Sequence, residues 1–117
     1  MNSAREFRKA FQVPDTLEQL NLQLTLIGEE VSEFVQANRD MNMMIPITRA
    51  DTLKELADVA YVLYQYAACM DWDLDEALHR VHESNMSKLL NGMPIRREDG
   101  KVLKGPNYLP PDLTDLV

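Results

Sequence analysis

Apolar residues recur at helical spacing from about residue 3 to about residue 90, and polar breaks divide that stretch into four predicted helices. Phe7, Ala10 and Phe11 mark a short first helix over residues 3–12, which Val13-Pro14-Asp15 stops. Leu20, Leu24, Ile27, Val31 and Phe34 form the stripe of a long second helix, Leu17 to Asn38. Its one weak residue is Gly28, where a mid-helix glycine costs about 1 kcal/mol relative to alanine. Close approach of another helix or a ligand would explain it, and so would simple tolerance. From Arg39 to Ile47 the period is lost: Asp40, Asn42 and Pro46 are turn formers, and Met41, Met43, Met44 and Ile45 are apolar without helical spacing. Such a methionine-rich loop either lines an adaptable binding surface or packs on a neighbour. Thr48-Arg49-Ala50-Asp51 has the form of a capping box opening a third helix that runs to about Met70, with the stripe Leu53, Leu56, Ala60, Leu63 and Ala67. Asp73, answered by Glu76, caps a fourth helix over about Leu74 to Leu90. Beyond Asn91-Gly92, a small hairpin around Asp99-Gly100 and an extended tail with Pro106, Pro110 and Pro111 are predicted.

The predicted fold is therefore an all-α bundle of four main helices with a short C-terminal hairpin and tail, a single domain over residues 1–117. The long helices carry apolar residues beyond one stripe. Leu22 and Leu26 lie on the other side of the second helix, above the glutamates, and Val62, Tyr66 and Cys69 continue the third-helix face that begins with Glu55 and Asp58. Both helices read as covered on two sides, as at a bundle centre or a subunit interface, so an oligomer is expected.

A formal net charge of -7 argues against nucleic acid or an anionic membrane as the main partner. It leaves room for an anionic small molecule bridged to the protein by metal. Cys69 is alone and reads as a small core residue. No signal-peptide or membrane-spanning run is visible, so a cytoplasmic protein is expected.

The chemistry lies in two acidic clusters, Glu29-Glu30-Val31-Ser32-Glu33 and Glu55-Leu56-Ala57-Asp58. Helix positions three apart are separated by roughly 60° around the axis. Glu30 with Glu33, and Glu55 with Asp58, therefore each present two carboxylates on one face. Converging carboxylates repel, and a divalent cation removes the repulsion. All-oxygen ligands favour Mg²⁺ or Mn²⁺, metals that polarise phosphoryl oxygens, so phosphoanhydride hydrolysis is the natural reaction class. Two other readings compete. Glu76-Ala77-Leu78-His79 is the Glu-x-x-His of di-iron bundles, but a second such element is missing. Alternatively the acidic residues are surface positions paired with Lys54 or Arg39. The basic residues Lys88, Arg96, Arg97, Lys101 and Lys104 gather near and in the tail, as a solvated surface or as partners for a multiply charged anion.

The order Glu-Glu-x-x-Glu, a gap of about twenty residues, then Glu-x-x-Asp, resembles the signature of the all-α nucleoside triphosphate pyrophosphohydrolases of the MazG-like superfamily. Lys54-Glu55-Leu56-Ala57-Asp58-Val59, His82-Glu83-Ser84-Asn85-Met86-Ser87-Lys88 and Asp99-Gly100-Lys101-Val102-Leu103-Lys104-Gly105-Pro106 are similar to segments of its compact members. The resemblance runs over nearly the whole chain from Leu22 onward. It implies a Mg²⁺-dependent enzyme, with Mn²⁺ as a possible substitute, cleaving a nucleoside triphosphate to monophosphate and pyrophosphate. By position, Glu30, Glu33, Glu55 and Asp58 match the metal ligands, and Glu29 is a further candidate for the metal shell or for positioning water. Lys54, Asn85, Lys88, Lys104 and Tyr108 are the candidates for substrate contact, and a homodimer or homotetramer is implied. A binding or regulatory module on the same bundle, without turnover, is the second functional class.

Overall fold

The computed structural model describes residues 2–117, and the chain is all-α, with four helices and one two-stranded hairpin. It divides into two compact units, Met1–Trp72 and Asp73–Val117.

The first unit holds α1 (Asn2–Ala10), α2 (Leu17–Asp40) and α3 (Pro46–Cys69). Arg8, buried at the end of α1, donates to Asp15 Oδ1 at 2.6 Å and to the Pro14 carbonyl at 3.1 Å, which ties α1 to the turn before α2. Thr16 caps α2 by accepting from the Gln19 amide. The helices α2 and α3 run antiparallel, because the Thr52 hydroxyl donates to the Ala37 carbonyl near one end and the Cys69 thiol to the Thr16 carbonyl at the other. Between those two bonds the same register sets Glu55 and Asp58 opposite Glu30. Helix α1 lies against α3, with Gln65 Nε2 donating to the Ala4 carbonyl at 3.5 Å and Phe7 edge-on to Tyr61.

The start of α3 differs from the predicted capping box. Helix α3 begins earlier, with Pro46 at its first position and Ile45 as an N-cap lacking a side-chain bond. The fixed φ of proline suits that position, where its missing N–H costs nothing. The Thr48 hydroxyl instead knots the loop, donating to the Asn42 and Ile45 carbonyls and accepting from the Asn42 amide. Met43 and Met44 at the tip stay exposed.

A larger difference concerns which face of each helix turns inward. Gln23 is buried, and Leu20, Ile27, Glu30, Phe34 and Ala37 are half-buried, so the α2 seam runs through these six residues. Leu24 and Val31 of the predicted stripe are 61% and 41% exposed. In α3 the inward set is Thr52, Glu55, Asp58, Val59, Val62, Gln65, Tyr66 and Cys69. Of the predicted stripe, Leu53, Leu56, Ala60 and Leu63 are exposed, Leu53 at 66%, whereas Ala67 is buried. Periodicity located two stripes on each helix. The structure shows that the chain itself covers the face carrying Gln23, Glu30, Glu55 and Asp58, together with Leu20, Ile27 and Phe34 of the predicted stripe, and leaves Leu24, Val31, Leu53, Leu56 and Leu63 exposed. A Cβ added at Gly28 would meet nothing within 4 Å, so no close approach among the described residues requires that glycine.

The second unit contains α4 (Leu74–Met86), then β1 (Ile95–Arg96) paired antiparallel with β2 (Val102–Leu103) around the Asp99-Gly100 turn. Asp73 caps α4 by accepting from the Glu76 amide, as its sequence predicts. The helix ends at Met86, short of the predicted Leu90, because Ser87 and Lys88 turn out of it with bonds from their amides to the Ser84 and Asn85 carbonyls. The tail returns along α4. The Leu109 carbonyl accepts from Ser84 Oγ at 2.7 Å, and the Leu109 amide donates to Ser87 Oγ at 3.0 Å. The Gly105 amide donates to the Lys88 carbonyl at 3.0 Å, and a Cβ at Gly105 would lie 2.6 Å from that oxygen. Only glycine permits this approach. Arg80 fixes the chain end by pairing with Glu76 and Asp115 and by donating to the Asp112 carbonyl.

Candidate metal centre

The antiparallel register of α2 and α3 brings carboxylates from both clusters together. One oxygen from each of Glu30, Glu55 and Asp58 lies within 4.8 Å of the others. All three residues are half-buried in the seam between the helices. Glu33, one turn further along α2, faces Glu30 closely enough to share a hydrogen bond with it, but it is more exposed and stands outside the trio. Glu29 is exposed and is not among the converging carboxylates. Of the five acidic candidates, three meet, one adjoins and one stands aside.

The electrostatics are those of crowded negative charge. Burial, and then the charges of Glu33 and Asp58, raise the Glu30 carboxyl above its ordinary range. Glu30 Oε2 and Glu55 Oε2 are buried without a hydrogen-bond partner. Such orphaned oxygens are costly in a folded protein unless a cation or proton answers them. Lys54 answers the outer edge: its Nζ is 2.6 Å from Asp58 Oδ2 and 3.6 Å from Glu55 Oε1. The Asp58 carboxylate, and then Glu55, raise the Lys54 ammonium above its usual range.

An all-oxygen trio on two helices, with two buried oxygens unanswered, fits a hard divalent cation. The fit rests on the donors present. The Glu-x-x-His alternative does not share this property, since Glu76 pairs with Arg80 at 3.0 Å and His79 Nε2 with Glu83 at 3.0 Å along α4. Among the described residues Arg39 makes no ion pair with the cluster, whereas Lys54 does.

The remaining substrate candidates belong to the second unit. Lys88 stands in the turn after α4, a correction to the fourth helix predicted to run through it to Leu90. Lys88 Nζ is 6.0 Å and Lys104 Nζ 4.8 Å from the centre of the Tyr108 ring, so two lysines gather on one aromatic side chain. Asn85 is exposed near the end of α4.

Sequence reasoning missed two buried amides. Gln23 lies seven residues before Glu30 on the α2 seam, and Gln65 lies seven after Asp58 on α3; each has a buried Oε1 without a partner. Their only signal was the spacing of seven from a carboxylate, which periodicity assigned to the polar face.

No helix among the described residues is long and apolar enough to cross a membrane. No curated protein matches the chain. The family model for phosphoribosyl-ATP pyrophosphohydrolase matches residues 5–85, a span that includes all five acidic candidates, Lys54 and Asn85 and ends before Lys88, Lys104 and Tyr108. With both acidic clusters inside a match that covers more than half of its length, the chain belongs to the phosphoribosyl-ATP pyrophosphohydrolase family, a nucleotide pyrophosphohydrolase family.

Proposed function

We propose that the protein is a Mg²⁺-dependent pyrophosphohydrolase that cleaves a nucleoside triphosphate to the monophosphate and pyrophosphate. The observation that carries the reading is the convergence of Glu30, Glu55 and Asp58 within 4.8 Å, with two of their buried oxygens unanswered. Glu30, Glu55 and Asp58 would hold the metal, Glu33 would complete the acidic side, and Glu29 is the candidate for orienting water from outside the trio. A bound Mg²⁺, with Mn²⁺ as a substitute, supplies charge neutralisation at the phosphoryl oxygens and a more acidic water. The seam between α2 and α3 holds the carboxylates at fixed spacing, so the attacking water and the phosphorus meet without reorganising them. Lys54, Asn85, Lys88, Lys104 and Tyr108 are proposed to contact the nucleotide.

Phosphoribosyl-ATP is itself a triphosphate, and the family match makes it a substrate to test beside ordinary and deoxy nucleoside triphosphates. A binding or regulatory module is the other functional class. It has no physical need to keep mutually repelling carboxylates in a packed seam. The experiment is product analysis after incubation with each nucleotide, in Mg²⁺ and in chelator, on the parent and Glu55→Gln. Pyrophosphate and monophosphate formed by the parent in Mg²⁺ alone support the enzyme. Tight nucleotide binding without turnover would favour the module. The bare leucine faces of α2 and α3 support a homodimer or homotetramer as the working form.

A further inference from the structure

Lys54 touches the proposed metal ligands from the solvent side. It lies four residues before Asp58 on α3, the spacing at which helix side chains meet. Its side chain is 66% exposed, against 22% for Glu55 and 34% for Asp58. The oxygens of the cluster are thereby divided. Glu55 Oε1 and Asp58 Oδ2 face the ammonium, while Glu55 Oε2 and Glu30 Oε2 are buried and unanswered. A cation seated on the buried oxygens meets no competitor at Glu30 and only a distant one, at 3.6 Å, at Glu55. Asp58 is the contested ligand, because its Oδ2 already holds Lys54 at 2.6 Å.

We propose that Lys54 and the divalent metal compete for Asp58, so that metal loading transfers the Lys54 ammonium from that carboxylate to the phosphates of the nucleotide. The proposal rests on the metal reading above and deepens it. A lysine suits the exchange, being a point charge on a flexible stem that moves without disturbing the helix. The replacement is also balanced in charge: the metal takes over neutralisation of the carboxylates, and the released ammonium stands at the rim where a polyphosphate brings its own negative charges. By linkage, what weakens the Lys54–Asp58 pair strengthens metal binding, and metal binding strengthens the pull of Lys54 on phosphate. Lys54 is on this account a positioning residue toward the metal and a contact residue toward substrate. These two roles carry opposite signs on removal of its charge.

The test is calorimetric titration of Mn²⁺ into the full chain without nucleotide, on parent, Lys54→Met, Lys54→Arg and Asp58→Asn, followed by steady-state kinetics in Mg²⁺. Lys54→Met is expected to bind Mn²⁺ about two- to fivefold more tightly than the parent, the range an exposed ion pair spans. The same variant should raise KM for the nucleotide about tenfold, as expected for loss of one charge-assisted contact. Lys54→Arg should keep the parent's Mn²⁺ affinity. Equal or weaker Mn²⁺ binding by Lys54→Met overturns the exchange, since Lys54 would then orient Asp58 for the metal rather than contest it. If neither the parent nor Asp58→Asn binds Mn²⁺, the metal reading itself fails and the exchange fails with it.

Discussion

Replacing Glu30 by glutamine isolates the cost of gathering carboxylates, because among the described residues Glu30 makes no ion pair whose loss would offset the gain. Asp58→Asn is less clean, since it also severs the Lys54 pair. Glu30 has Glu55 and Asp58 within 4.8 Å and Glu33 in hydrogen-bond contact. Two like charges 4.8 Å apart repel by about 1 kcal/mol in water and about 3 kcal/mol at an effective dielectric of 20. Glu30 is only half-buried, so the low end applies to each pair, and Lys54 offsets much of the repulsion from two of its three neighbours. Glu30→Gln should therefore stabilise the chelated protein by about 1–2 kcal/mol in total, a Tm rise of roughly 4–8 °C for a chain of this length. In saturating Mg²⁺ or Mn²⁺ the order reverses. The parent gains about 2.7 kcal/mol at a hundredfold excess over Kd, and the variant, missing a ligand, gains much less. Thermal melts of both proteins in chelator and in metal read all four quantities. A Glu30→Gln protein that is less stable than the parent in chelator, with an undiminished metal increment, would refute the clustered-charge reasoning.

Acid should act in the same direction as that substitution. The Glu30 carboxyl is held above its ordinary 4.5, so the folded chain binds this proton more tightly than the unfolded one does. Its contribution is full below about pH 4.5 and lost as pH rises through the raised value. Chelated parent should gain stability relative to Glu30→Gln as pH falls through the raised value toward 4.5. Asp99, Asp112 and Asp115, held below their ordinary 3.8 by Arg97, Thr114 and Arg80 respectively, lose stabilisation only in more acid solution and do not obscure the effect. For the second unit, Lys88→Ala and Lys104→Met should raise KM for nucleotide and leave stability within about 0.5 kcal/mol; unchanged kinetics would remove them from the substrate. Sedimentation at tens of micromolar should show an oligomer, and Leu24→Glu with Leu53→Glu should dissociate it. A monomeric parent would leave the leucine faces without their proposed cover.

The helices were legible in the sequence because their punctuation is local. Val13-Pro14-Asp15 and Asp73 act within a few residues of where they stand, and the starts at Leu17 and Leu74 follow from them, while α2 runs two residues past its predicted end at Asn38 and α4 stops short of Leu90. The pairing of the acidic clusters was legible for a similar reason, since a three-residue spacing fixes a helix face. That this face is covered was legible as well, from Val62, Tyr66 and Cys69 beside Glu55 and Asp58; that the same chain supplies the cover was not. Hydropathy ranks Leu24, Leu53, Leu56 and Leu63 as core, yet α2 and α3 meet through Gln23, Glu30, Thr52, Glu55 and Gln65. A periodic pattern reports that a stripe is covered without saying whether the same chain covers it. Two stripes on one helix therefore carry an ambiguity that only the register of the partner helix resolves. The Thr48 capping box failed because Pro46 offered an earlier start, and the Lys88 position failed because its turn forms only where Gly105 can approach the Lys88 carbonyl.

Anomalous diffraction from crystals of the protein grown with Mn²⁺ tests the metal centre most directly. The account predicts one strong Mn²⁺ peak bonded to oxygens of Glu30, Glu55 and Asp58, with Lys54 Nζ displaced from Asp58 Oδ2. Density elsewhere, or no Mn²⁺ peak between α2 and α3 at saturating metal, would contradict it.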